Sequence, residues 1–248
     1  MKVVFLGVGE AFDENIPNNS HLILSKTKLL LDCGYSAPNQ LWKYNKDVSF
    51  LDAVFISHRH ADHYFGIPLL LTRMWEEGRT KPLKVICFKE VKGLILNLLE
   101  YAYKGFPDKF QFKIEFIEVD ENSKIKLNEF KLSFAPNTHS APDLAIKVDD
   151  GKNRVCYSGD GMFTDKSAKM YNGSDLVIHE SYLYDEKKIG HASIVDLIQL
   201  IKDSDIKCIA LTHLQRDFRK EKLSFVKKQI SKEKVNIIVP EPFQEYEF

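Results

Sequence analysis

The segment Ser57-His58-Arg59-His60-Ala61-Asp62-His63 places four side chains able to ligate a metal within six positions, directly after the largely apolar run 51–56. Imidazole and carboxylate are the groups that borderline divalent cations such as zinc take up, and carboxylate also suits manganese. A strand ending in a tight loop can aim His58 and His60 at one point, because alternate residues share a side. Asp62 and His63, entering a following helix, can then aim at a second point nearby. The pattern His-x-His-x-Asp-His therefore suggests two adjacent ions, whereas a lone histidine would read as a surface or hydrogen-bonded core residue.

Other candidate ligands sit where strands are expected to end. His139 follows the run 132–136, His213 ends the run 208–212, and Asp160 closes 155–159 between Gly159 and Gly161, which let backbone and ligand approach closely. Loops at strand ends are where a rigid scaffold presents functional groups.

The elements that must position these residues follow from the hydrophobic pattern. Two-residue alternation and β-rich apolar runs predict strands at 2–8, 21–25, 28–32, 52–57, 83–88, 112–119, 129–135, 143–149, 153–158, 174–179, 205–212 and 235–239. Helical spacing predicts helices at 62–76, 90–104, 192–202 and 221–231; in the last, Leu223, Val226 and Ile230 form one stripe and lysines the other face. No low-complexity linker divides the chain, so residues 1–248 read as a single α/β domain with two sheets in the middle and helices outside. The Lys-rich region 219–234 reads as a solvated helix face with Glu–Lys pairs rather than as a nucleic-acid patch.

Composition excludes several function classes. Lys+Arg and Asp+Glu are both 35, so no global field recruits nucleic acid or a membrane. The opening Met1–Gly7 is too short an apolar run for a signal peptide, and no stretch approaches the roughly 18 apolar residues of a membrane-spanning helix. Cys33, Cys87, Cys156 and Cys208 lie singly inside apolar runs, which fits buried free thiols in a cytoplasmic protein.

These motifs together resemble the metallo-β-lactamase superfamily, and within it the ribonuclease Z-like branch. Gly7-Val8-Gly9-Glu10 resembles that branch's Gly-Thr-Gly-Gly opening, and Leu31-Asp32-Cys33-Gly34 its Asp-Cys-Gly segment. His58 to His63 is the superfamily signature, Gly66-Ile67-Pro68 resembles a following Gly-Leu-Pro, and Ser158-Gly159-Asp160 matches the bridging-aspartate motif. His179-Glu180-Ser181, His191-Ala192-Ser193 and Leu211-Thr212-His213 are similar to its His-Glu-Ala-Thr, His-Ser-Thr and last-ligand elements.

The resemblance implies a four-layer αββα sandwich and two divalent metal ions, zinc first, with manganese or iron also fitting the ligand types. It implies that His58, His60 and His139 hold one ion, that Asp62, His63 and His213 hold the other, and that Asp160 bridges them. Two such ions can share a hydroxide whose pKa is pulled toward neutrality, with Asp62 also orienting it or taking its proton. His191 is implied to meet the phosphate or leaving oxygen, with Glu180 fixing its tautomer; the plainer alternative for His191 is a helix cap before Ser193. His179 precedes Glu180 and points to the opposite face as a structural residue, and His21 reads as a surface or supporting residue.

The chain departs from transfer-RNA-processing relatives, which carry a long inserted arm between the third histidine motif and the bridging aspartate. Only residues 140–159 separate His139 from Asp160, enough for two strands and a turn near Gly151. Small armless phosphodiesterases that open cyclic phosphates are the most similar group in layout. The expectation is a dinuclear metal-dependent phosphodiesterase acting on a small diester such as a cyclic nucleotide. The alternative is a ribonuclease trimming RNA 3′ ends along Lys81, Lys84, Lys89, Lys92 and Lys104, with a non-catalytic nucleotide-binding protein or a thioesterase or lactamase behind it. Relatives are commonly homodimers, and Met74 and Trp75 are candidates to seal a two-fold interface.

Overall fold

The computed structural model describes residues 1–248. The first half runs β1 (Lys2–Gly7), β2 (Ser20–Leu24), β3 (Lys28–Leu31), α1 (Ala37–Tyr44), β4 (Ala53–Phe55), α2 (Ala61–Tyr64), α3 (Ile67–Glu76), β5 (Leu83–Cys87), α4 (Lys89–Ala102) and β6 (Ile114–Glu118). The second half runs β7 (Lys124–Leu127), β8 (Phe130–Asn137), β9 (Asp143–Asp149), β10 (Arg154–Tyr157), α5 (Asp165–Tyr171), β11 (Leu176–Glu180), α6 (Ile194–Lys202), β12 (Ile209–Thr212), α7 (Arg216–Ile230), β13 (Ile237–Ile238) and β14 (Glu245–Glu247).

These strands make two seven-stranded mixed sheets, ordered β14-β1-β2-β3-β4-β5-β6 and β13-β12-β11-β10-β9-β8-β7. Two-residue alternation builds the layers, because one strand feeds two cores. Val3 and Phe5 of β1 face the second sheet, while Val4 and Leu6 face α1, α3 and α4. In the other sheet, Leu176 and Ile178 of β11 face inward, and Val177 packs outward with Leu197 of α6 and Val226 of α7. Three apolar interfaces between four layers give the αββα sandwich. Parallel pairing of β3 with β4 and of β11 with β12 lies inside the sheets, where both faces are covered, which is why these strands read as nearly continuous apolar runs.

Each expected strand overlaps an observed one. The region expected as one helix at 62–76 is two, broken at Phe65–Gly66. A Cβ on Gly66 would lie 2.2 Å from the Gly34 carbonyl oxygen, so the break lets the two loops touch. Trp75 packs on Phe106 with ring centroids 5.0 Å apart, and Met74 is buried in the core rather than available at an interface. The four cysteines are buried and unpaired, and no helix is long and apolar enough to cross a membrane.

Candidate active site

The two sheets present their candidate ligands at one end of the sandwich. His58 and His60 follow β4, Asp62 and His63 lie on α2, His139 follows β8, Asp160 follows β10, and His213 follows β12. Local backbone geometry serves this convergence. Gly159 has φ +67°, and a Cβ there would lie 2.3 Å from Asp143 Oδ1. His213 itself has φ +58°, an uncommon conformation for a non-glycine residue, and its amide is fixed by donating to the Val8 carbonyl at 2.8 Å.

The side chains fall into two touching groups. His58, His60, His139 and Asp160 have ligand atoms within 4.8 Å of one another, as do Asp62, His63, Asp160 and His213, so Asp160 is common to both. His139 Nε2 lies 3.1 Å from His60 Nδ1, close to the roughly 3.3 Å between two nitrogens bound tetrahedrally to one zinc. Asp160 Oδ1 is 3.0 Å from His213 Nε2, and Asp62 Oδ2 is 3.1 Å from His63 Nε2.

Three of these rings, His58, His63 and His139, are supported through Nδ1. The His63 Nδ1 lies 2.6 Å from Asp32 Oδ2, an oxygen that also accepts from Tyr157 Oη (2.7 Å) and Ser57 Oγ (2.7 Å). The His58 Nδ1 lies 3.0 Å from Ser57 Oγ and 3.3 Å from Asp143 Oδ1, and the His139 Nδ1 lies 3.1 Å from the Gly190 carbonyl oxygen. Such contacts fix the tautomer and leave Nε2 for a ligand.

The atoms facing the common space are short of partners. The Nε2 atoms of His58, His63 and His213, Asp62 Oδ2 and Asp160 Oδ1 are buried, and their close approaches to one another lack hydrogen-bond geometry. Buried polar atoms without partners are rare in folded proteins, and a divalent cation at each group would satisfy them. The donor set therefore fits a pair of metal ions.

Charge coupling is strong here. Burial alone would push His213 down, but Asp160 and Asp62 outweigh it and hold the ring up at about 9. His63 is likewise opposed by burial and raised well above the usual range by Asp62 and Asp32. His58 and His60 are lowered, first by burial and then by neighbouring histidines. Asp62 and Asp160 stay ionised despite burial, held by His63 and His213.

Beside the shared aspartate stands a second carboxyl–imidazole pair. Glu180, buried at the end of β11, places Oε2 3.3 Å from His191 Nδ1, and its Oε1 accepts the Ala192 amide at 2.5 Å. Burial and Asp160 push the Glu180 carboxyl well up. The helix cap expected as His191's alternative role belongs instead to Ser193, whose hydroxyl accepts the Asp196 amide. Tyr182 stacks on His191 with centroids 4.7 Å apart. His179 is buried between Phe163 and Tyr171, away from this group, and His21 lies fully buried rather than at the surface.

In the sequence Asp32 stands out only as part of a motif, and no local pattern marks the supports Ser57 and Asp143 or the cavity residues Tyr182, Phe12 and Tyr35. The cavity over the clusters, about 460 Å³, is bounded by Phe12, Tyr35, Ser140, Tyr182 and His191. Its volume is typical of a small-molecule site.

The chain is similar to known proteins over nearly its whole length. Ribonuclease Z of Staphylococcus epidermidis is 22% identical over 93% of this chain and 94% of its own length. The metallo-β-lactamase fold protein YhfI from Bacillus subtilis superposes with a TM-score of 0.81 at 21% identity, over 100% of this chain and 99% of that one. The short form of human tRNase Z superposes with a TM-score of 0.80 at 22% identity, over 100% and 99% of the two chains. The family model described as Anti-Pycsar protein Apyc1 matches residues 1–234. The chain is thus a metal-dependent hydrolase of the metallo-β-lactamase superfamily, in its ribonuclease Z-like branch, and belongs to the Anti-Pycsar protein Apyc1 family.

Proposed function

We propose that the protein is a dinuclear metal-dependent phosphodiesterase that hydrolyses a small diester, a cyclic nucleotide or similar cyclic phosphate. The observation that carries this reading is the Glu180–His191 pair, set against Asp160 and His213 at the edge of the ligand clusters. Hydrolysis of a diester expels an alkoxide, which needs a proton as the P–O bond breaks. Acyl chemistry on a thioester or lactam gives this pair no comparable task.

His58, His60, His139 and Asp160 would hold one cation, and Asp62, His63, His213 and Asp160 the other. Bound there, the pair of ions supplies Lewis acidity, lowering the pKa of water and offsetting charge on the phosphoryl oxygens. Asp62 orients the attacking water and takes its proton. In its imidazolium form His191 would donate Nδ1–H to Glu180 and carry a second proton on Nε2, which passes to the departing oxygen and leaves the ring neutral. One P–O bond forms to water, the other breaks, and the proton from His191 ends on the alkoxide.

Substrate size follows from what surrounds the cavity. Between His139 and Asp160 the chain makes only the β9–β10 hairpin, with no arm to grip a folded RNA. Of the lysines offered as an RNA track, Lys81 pairs with Asp52 at 2.7 Å and Lys92 with Glu118 at 2.6 Å, so their charge is already engaged.

The test is turnover by zinc- or manganese-loaded protein on 3′,5′- and 2′,3′-cyclic nucleotides beside a 3′-extended transfer RNA, with Asp62→Ala as the blank. Ring opening without RNA trimming is expected. Trimming alone would transfer the site to the ribonuclease reading.

A further inference from the structure

Two aromatic side chains at the cavity mouth belong to none of the hydrophobic cores, although the Arg216 guanidinium lies 6.0 Å from the centre of the Phe12 ring. Phe12 is 76% exposed and Tyr35 49% exposed, yet both border the cavity above the ligand clusters. Tyr182, on the same wall, already has a ring face occupied by His191.

The loop carrying Phe12 is held from several sides. The buried Glu10 accepts the Phe12 amide on Oε2 at 3.0 Å and Arg216 Nη1 on Oε1 at 2.9 Å. Asp13 accepts the amides of Asn15 (2.9 Å) and Ile16 (3.0 Å) on one oxygen and both Nε (3.1 Å) and Nη2 (2.7 Å) of Arg219 on the other. Lys220 pairs with Glu14. Positions 216, 219 and 220 share one face of α7, so the loop is fastened along a single helical stripe. Tyr35 Oη donates to the Ala11 carbonyl at 2.6 Å, joining the two aromatic residues through one backbone. A fixed backbone thus holds a phenyl ring in water beside a site built for phosphate, where it covers no core.

We propose that Phe12, together with Tyr35, is a stacking platform for the base of a nucleotide substrate, positioned by the ion pairs of Glu10 and Asp13 with Arg216 and Arg219. The proposal rests on the phosphodiesterase reading and names the part of the substrate that lies away from the phosphate. Every base has a π-face, so the platform selects nucleotides over base-free sugar phosphates and discriminates weakly among bases. Glu10, Asp13, Arg216 and Arg219 are positioning residues, since they act through the loop.

The experiment compares equilibrium binding of adenosine 5′-monophosphate, uridine 5′-monophosphate and ribose 5-phosphate to zinc-loaded protein by calorimetry. Wild type is expected to favour both nucleotides over ribose 5-phosphate by about tenfold or more. Phe12→Ala should bring that ratio close to unity, and Phe12→Trp should keep it. Arg219→Met should lose roughly threefold of the preference, seen as a higher KM for a cyclic nucleotide, with partial rescue by Arg219→Lys. A wild type without the preference, or a Phe12→Ala protein that retains it in full, overturns the platform. Turnover of a 3′,5′-cyclic nucleotide, followed in parallel, separates the two ideas. Base preference without turnover sustains the platform and removes the phosphodiesterase; turnover without base preference does the reverse.

Discussion

The two ends of β4 bury polar groups in opposite ways. At its start, Arg79 is 1% exposed and touches no carboxylate. Its guanidinium donates to four carbonyl oxygens: Val48 (2.5 Å), Leu51 (2.9 Å), Lys81 (2.7 Å) and Pro82 (2.9 Å). At the other end, past Phe55, the buried histidines and aspartates leave ligand atoms without partners. Both arrangements place charge in a low-dielectric interior, where an unmade hydrogen bond costs about 1–3 kcal/mol. The difference separates their purposes. Arg79 saturates the carbonyls that lead into β4 and β5 and so belongs to the fold, whereas the unsaturated cluster is held open for something that arrives later.

Replacing one member at each pole should give opposite signatures. Asp62→Ala should lower turnover by about 10⁴-fold while the fold survives, and His191→Ala by about 10²–10⁴-fold, the usual worth of a proton-transfer group. Steady-state rates beside thermal midpoints check both; either variant retaining near-wild-type rates removes its assigned role. Arg79→Met should do the reverse. Four carbonyls lose their donor, costing about 3 kcal/mol, while turnover per folded molecule at low temperature stays within about twofold. Denaturant unfolding reads the first quantity, and active-site-normalised rates read the second.

Loading with metal sharpens the contrast, because it completes one pole and leaves the other untouched. In the metal-free protein His213 holds its proton up to about 9. A raised pKa stabilises the metal-free fold fully below the unfolded value of about 6.5, and that contribution is lost as pH rises through about 9. A cation must expel this proton, so loading at pH 7 should release protons, with apparent affinity climbing as pH approaches 9. Calorimetry in two buffers of different ionisation enthalpy measures the release. At a free concentration a thousandfold above Kd the metal should add about 4 kcal/mol of stability. Proton uptake on loading would contradict the assignment of His213.

The contrast also shows what the sequence made legible. His58, His60, Asp62 and His63 were readable because they share one loop and one short helix, and the apolar alternation around them marks the strands. Asp32 supports His63 from 31 residues away, and Asp143 faces His58 from another sheet, so neither pairing leaves a local trace. The ion pairs from Glu10 and Asp13 to α7 span 206 positions, which is why that helix's charged start reads as a solvated face in isolation. β7 and β14 escape the alternation search because they are short edge strands carrying Lys124 and Lys126, or Glu245 and Glu247. Charge on an edge discourages pairing with other chains and blurs the apolar signal at the same time.

His21 tests which pole a buried polar residue resembles when nothing around it decides. Its ring is fully buried, edge-on to Phe5 and Tyr157 at 5.3 Å from each, and neither nitrogen has a partner. Burial, with the charge of His63 behind it, pushes its pKa down to about 3, so it is a neutral ring at any physiological pH. It resembles the ligand cluster in lacking partners, but it faces apolar and aromatic neighbours rather than the open cavity. His21→Leu removes two unsatisfied nitrogens, a gain of about 1–3 kcal/mol each at most. It also loses two edge contacts, worth about 0.5–1.5 kcal/mol each beyond their area. The opposed effects should leave stability within about 1 kcal/mol of wild type and metal affinity unchanged, read by denaturant unfolding and by competition with a chelating dye. A tenfold loss of affinity would instead place His21 in the support of His63, acting through Tyr157 and the Asp32 carboxylate they border. An unpartnered atom marks function only where a ligand can reach it, and His21 is the position at which burial and reach come apart.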